Sequence, residues 1–315
     1  MAGAFLDWAL EDFSGYVAVD ELYEGAYCVL SAVDNRRYKR VLYAVLDHDP
    51  THEDIEAFLG RLKTALDARN LALHGITTDG SALYPEPIAK VFGAVPHQLC
   101  TFPVIAELVK GVLRAVAAER ERLAKSKPTV KRGRPSSKDK ATRRLARKSK
   151  RMQQQITDIC QHRFLFVQRR LTPAERTRLG HLTRGMPHLR KLREIMAHVY
   201  ALFDRRCRTH TALDKLATLR GWVNRFTWIG DTLTKVFSPT LEKALTFLDD
   251  TLLPATSHAV ERGNRRHRQM QKSVYRIRSK DCLVARIARD MIREAHAEGR
   301  QQTTQVLHDA RMGAT

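Results

Sequence analysis

Tyr16-Val-Ala-Val-Asp-Glu-Leu22, Ala26-Tyr-Cys-Val-Leu-Ser-Ala-Val33 and Tyr38-Lys-Arg-Val-Leu-Tyr-Ala-Val-Leu46 are the three stretches that decide the fold. Each is short and rich in Val, Tyr and Leu, the residues that fit a pleated, half-buried surface. Asp34-Asn35, between the second and third, is a hairpin turn signal because both side chains bond their own backbone and tolerate tight turns. The three runs therefore read as an antiparallel meander. Thr51 is a candidate N-cap, with Asp54 three residues later in place of the usual Glu. The spacing of Ile55, Phe58, Leu59, Leu62 and Leu66 then predicts a helix. Gly75–Thr78 reads as a short fourth strand ending at Asp79. Leu83–Phe92 reads as a helix whose first turn accommodates Pro85 and Pro87. Val95–Leu99 is a fifth strand candidate, and Val104–Lys125 a long helix.

Three antiparallel strands, helix, strand, helix, strand, helix is an α/β order. It resembles the ribonuclease H-like topology, a mixed five-stranded sheet flanked by helices. Past residue 125 the pattern breaks. Residues 125–151 hold thirteen Lys or Arg against one acid, Asp139, and Pro128, Gly133 and Pro135 punctuate them. From about 141 to 255 strand signals fade, and helical spacing appears at Ile195–Leu202, Leu213–Phe226 and Leu241–Leu253. The expected organisation is a first sheet-and-helix part at 1–125, a basic linker at 126–140, an all-α insertion at 141–255, and closing helices of the first domain at 256–315, including one near 280–298.

The chain has 315 residues, 43% of them hydrophobic, and a net charge of +21. A field of that sign concentrates polyanions, and nucleic acid is the partner class it favours. No apolar run reaches the ~18 residues of a membrane span. The N-terminus has no basic start and carries Asp7, unlike a signal peptide. Five cysteines (28, 100, 160, 207 and 282), scattered and odd in number, suit a reducing cytoplasm, with association with the nucleoid expected from the charge.

Three acids stand out. Asp20 and Asp79 end the first and fourth strand candidates, which are neighbours in this topology, so their carboxylates would lie close together. Each also reads as an ordinary turn residue, and Asp34, Asp47 and Asp49 compete for the role. Glu261 opens a basic helical stretch capped by Ser257. Arg265, Arg268 and Lys272 follow at +4, +7 and +11 on one stripe, flanked by Arg262 and Arg266. An acid followed by a row of bases can hold a cation at one end and track phosphates along the other; a solvated helix with one Glu–Arg pair is the plainer reading. Lys131-Arg132-Gly-Arg134-Pro135 matches the core of an AT-hook, a minor-groove element, but so short a pattern inside a charge run is weak, and a basic interdomain linker is the preferred reading. Cys100 lacks a His at 103, where Pro stands, and with His97 alone makes no metal site. It reads as structural. Trp222 and Trp228 read as core residues of a helical bundle.

Val-Ala-Val-Asp20, Ile-Thr-Thr-Asp79-Gly and Ala-Val-Glu261-Arg-Gly-Asn-Arg-Arg-His-Arg resemble the three acidic motifs of the DDE transposases of bacterial insertion sequences. The 182-residue gap from Asp79 to Glu261 is similar to the Mutator-like branch, which carries an α-helical insertion. The resemblance spans roughly residues 15–290. It implies two Mg²⁺ or Mn²⁺ ions held by Asp20, Asp79 and Glu261, DNA cleavage at element ends, attack of the freed 3′-OH on target DNA, and a homodimer or larger assembly on DNA. It also implies an N-terminal region that recognises the element ends, whereas Asp20 lies only nineteen residues from the start. The alternatives to a working transposase are a non-catalytic DNA-binding remnant and a structure-selective nuclease on the same fold.

Overall fold

The computed structural model describes residues 2–130, 139–223, 240–271 and 279–296. The chain divides into two compact units, 1–101 with 243–315, and 102–242. The first is α/β. Helix α1 (Ala2–Leu10) precedes strands β1 (Tyr16–Glu24), β2 (Tyr27–Asp34) and β3 (Arg40–Leu46). Helix α2 (His52–Asp67), strand β4 (Gly75–Thr78), helix α3 (Pro85–Phe92) and strand β5 (His97–Leu99) follow. The strands form one sheet in the order β3-β2-β1-β4-β5. β1, β2 and β3 pair antiparallel, and β4 is parallel to both β1 and β5. The expected mixed five-stranded sheet flanked by helices is present.

Alternation along the strands sorts the core into two layers. Val17, Val19, Cys28, Leu30 and Ala32 face Ile55, Phe58, Leu59, Leu62 and Leu66 of α2, with Ile88 of α3. The opposite side packs Ala18 and Val33 on Ala259 and Val260, and Leu22, Val29 and Val45 on Leu283, Ile287 and Met291. Those partners come from the helices called here α9 (His258–Gln271) and α10 (Lys280–His296). The N-terminus of α2 is a capping box, with the Thr51 hydroxyl and the Asp54 carboxylate each accepting from the other's backbone N–H.

Asp34, one of the competing carboxylates, is consumed by the β2–β3 turn. It is buried and accepts from Ser14 N (2.7 Å), Ser14 Oγ (2.6 Å), Arg36 N (2.9 Å) and Arg37 N (2.8 Å). Asp47 is paired with Lys280 Nζ at 3.3 Å.

The second unit is helical throughout its described residues. It contains most of α4 (Thr101–Ser126), then α5 (Lys140–Gln161), a 3₁₀ turn (Arg163–Phe166), α6 (Pro173–Leu182), α7 (Pro187–Leu202) and α8 (Thr209–Val223). α7 buries Leu189, Leu192, Ile195, Met196, Val199 and Leu202, one stripe at helical spacing. Its boundaries differ from the 141–255 expected. The long helix α4 belongs to it from Phe102 onward, and the chain returns to the sheet unit at Lys243. The helix expected over Leu241–Leu253 is broken into a single α-helical turn at Thr240–Lys243 and a 3₁₀ turn at Thr246–Leu248. The reason is Gln98 on β5. Its amide donates to Ala244 O (2.9 Å) and its carbonyl accepts from Phe247 N (2.8 Å), so the returning segment is stitched to the sheet edge instead of coiling. Trp222 is half-buried, with Lys191 Nζ 3.4 Å from its ring centroid and His198 edge-on at 4.7 Å; it is not the core residue expected. No helix among the described residues is long and apolar enough to cross a membrane.

Candidate active site

The parallel pairing of β1 and β4 places Ala18 opposite Thr77. Continuing that register sets Asp20 opposite Asp79, where β4 ends. The carboxyl ends of parallel strands are where open α/β sheets gather their ligands. The chain then turns through Gly80, whose φ of +104° is a conformation that L side chains rarely adopt. The Asp79 carboxylate accepts from Ser81 N at 2.9 Å and so fixes the turn.

Carboxylate oxygens of Asp20, Glu21 and Asp79 lie within 4.8 Å of one another. Sequence reasoning paired Asp20 with Asp79 but passed over Glu21. Strand alternation sends Glu21 to the α2–α3 side, away from Asp20. There the hydroxyl of Tyr84, fully buried at the start of α3, donates a short hydrogen bond to Glu21 Oε2. Asp20 was expected to end the first strand, but β1 runs on to Glu24 because Leu22–Glu24 keep pairing with β2; an acidic dipeptide inside a paired strand was the available signal.

The electrostatics follow from burial and crowding. Burial pushes the Asp20 carboxyl up to about 7, reinforced by the charges of Asp79 and Glu21 and, more weakly, of Glu261. Glu21 is also raised, first by burial, against the lowering effect of the Tyr84 hydrogen bond. Burial and the neighbouring carboxylates push the Cys28 thiol up to about 12, so it carries no thiolate chemistry.

Glu261 is not brought into the cluster. In the first turn of α9 its Oε2 lies 3.3 Å from His258 Nδ1. α9 turns Val260, Asn264 and His267 toward the sheet, and Glu261 sits one position further round. Asn264 reaches the acids instead, its Nδ2 donating to Asp20 Oδ2 at 2.7 Å. Sequence reading missed it because an Asn within a basic run looks solvated. Arg262, Arg265 and Arg268 are exposed on the outer side of α9, with Arg262 5.9 Å from the Tyr38 ring centroid. Lys131, Arg132, Arg134 and Lys272 lie outside the described residues, as do Trp228 and the side chain of Arg266. Cys100 is buried and accepts from Ser257 N at 3.4 Å, a structural contact at the entry to α9. His97 Nε2 lies 2.9 Å from Thr78 Oγ1, and burial lowers its pKa to about 4.

Three oxygens this close, one on a carboxyl that resists ionisation, form a site whose mutual repulsion a proton or a cation relieves. No protein-family model, curated protein or solved structure matches the chain.

Proposed function

We propose that the chain is a divalent-metal-dependent DNA strand-cleaving and strand-transferring enzyme of the DDE transposase type, built on a ribonuclease H-like fold. The observation that carries the proposal is the meeting of Asp20, midway along β1, with Asp79, just past the end of the adjacent parallel strand β4, in a β3-β2-β1-β4-β5 sheet. The donor set is hard and all-oxygen, with no thiolate or imidazole in the cluster, which suits Mg²⁺ or Mn²⁺. Such ions, when bound, polarise the phosphodiester and lower the pKa of the attacking water or 3′-OH.

The chain's own residues divide the remaining work. Asp20 and Asp79 would hold the cation, and Asn264 fixes the Asp20 carboxylate through its 2.7 Å hydrogen bond. Glu21 is braced by Tyr84 and shapes the negative field of the site. Glu261, whose charge reaches Asp20 from the first turn of α9, is the third carboxylate of the proposal. Arg262, Arg265 and Arg268 on the outer side of α9 contact phosphates, which position DNA without reading its sequence. DNA is the substrate, and two copies on paired DNA ends are the working assembly. A structure-selective nuclease is the second reading, favoured by Glu21 joining the cluster where Glu261 does not.

The test is nicking of supercoiled plasmid and of branched duplexes with Mg²⁺ or Mn²⁺. Cleavage is expected with either ion, stops on adding EDTA and resumes when the ion is restored in excess. A pure chain that cleaves none of these DNAs with either ion would overturn the catalytic reading.

A further inference from the structure

We propose that His267 is a proton-controlled latch that seats α9 on the sheet. Neutral, it lets the helix lie down and Asn264 reach Asp20. Protonated, it loosens that seat. The inference goes beyond the catalytic reading and does not require it.

The geometry is that of a buried ring held on the same side of α9 as the residue that touches Asp20. Val260, Asn264 and His267 follow at steps of four and three, and all three are buried. The His267 Nε2 atom is buried and has no hydrogen-bond partner among the described residues. It borders a 20 Å³ cavity shared with Ser31, Arg40 and Asn264. A buried polar nitrogen without a partner is a liability that folded proteins rarely leave unless it serves something.

Charged groups on three of the elements packed against the ring set its charge balance. Glu24 of β1 and Asp290 of α10 favour the imidazolium, while Arg40 of β3 and Arg286 of α10 oppose it. β2 offers only the neutral Ser31 and apolar contacts. Arg40 cannot turn aside. Its guanidinium is clamped by Asp290 Oδ2 at 2.5 Å and Glu294 Oε2 at 2.6 Å. Burial is the largest influence and holds the His267 pKa below its ordinary value.

The sign follows by linkage. A base whose pKa is depressed in the seated state and ordinary in the released state favours seating at high pH. That advantage is lost as pH falls below about 6.5, where the released ring takes up a proton and the seated ring does not. Asp20 titrates with the opposite sign, because its raised pKa makes the seated state accept a proton more readily than the released one. Comparison with a variant that keeps Asp20 cancels that contribution.

The measurement is amide hydrogen exchange along residues 258–271 in the full chain, without divalent ions, from about pH 7.5 to about pH 5. Protection of α9 relative to the His267→Gln variant is expected to fall by roughly threefold or more over that range. Equal pH dependence in the two proteins would overturn the proposal. Should the Gln variant fail to fold, the ring of His267 in the parent chain can be titrated by NMR. A pKa at or above about 6.5 there would overturn the proposal equally, and one below it supports the latch.

Discussion

Asp20→Asn is expected to be more stable than the parent chain at about pH 8 in the absence of divalent ions. Burial and the neighbouring carboxylates hold the Asp20 pKa at about 7 in the folded protein, against about 3.9 when unfolded. For an acid raised on folding, the native state binds more protons than the unfolded state between those two values. Stability therefore declines as pH rises from about 4 to about 7, and the full cost is present above that. Three units would amount to about 4 kcal/mol, and relaxation and solvent entry reduce the observable share to about 2–4 kcal/mol. The Asn amide is nearly isosteric, carries no charge, and its oxygen can still accept from Asn264. Denaturant unfolding in EDTA should show a gap between variant and parent that shrinks toward about pH 4. A pH-independent gap, or none, would mean that Asp20 is ionised at no cost in the fold. Such a loss is the stability given up where negative charges are held together in a partly buried site.

The second large effect is on DNA cleavage. Asp20→Asn, Asp79→Asn and Glu261→Gln should each lower divalent-dependent nicking by on the order of a hundredfold to a thousandfold, since several kcal/mol of charge stabilisation leaves with each carboxylate. DNA affinity should stay unchanged, because the arginines proposed to contact phosphates are untouched. Glu21→Gln should cost no more than about tenfold, since its carboxylate is already engaged by Tyr84. Glu261 and Glu21 thus separate the two readings of the site. If Glu21→Gln abolishes nicking and Glu261→Gln leaves it intact, the Asp20, Glu21 and Asp79 cluster works alone and the nuclease reading replaces the transposase one.

Much of the sheet was legible because its signals are local. The Val- and Tyr-rich runs, the Asp34-Asn35 turn and the Thr51–Asp54 cap each act within a few residues. The proximity of Asp20 and Asp79 followed from strand adjacency alone. The rest depended on contacts between distant positions. Glu21 joins the acids only because the Asp79-Gly80-Ser81 turn and the Tyr84 hydroxyl meet it from another element. Asn264 and His267 face inward because Val260 sets the rotation of α9, whereas charge patterning makes the whole segment look solvated. The early return at Lys243 is imposed by the side chain of Gln98, which captures two backbone groups some 146 to 149 residues away. Leu241–Leu253 keeps a helical spacing that this tertiary stitching overrides.

The central claim is that Asp20 and Asp79 hold a divalent cation. It is tested most directly by Mn²⁺ anomalous diffraction from crystals of the parent chain and of Asp79→Asn grown under the same conditions. An anomalous peak between the Asp20 and Asp79 carboxylates is expected in the parent, and its loss or marked weakening in the variant. A parent crystal that binds Mn²⁺ elsewhere and leaves no peak between those two carboxylates would contradict it.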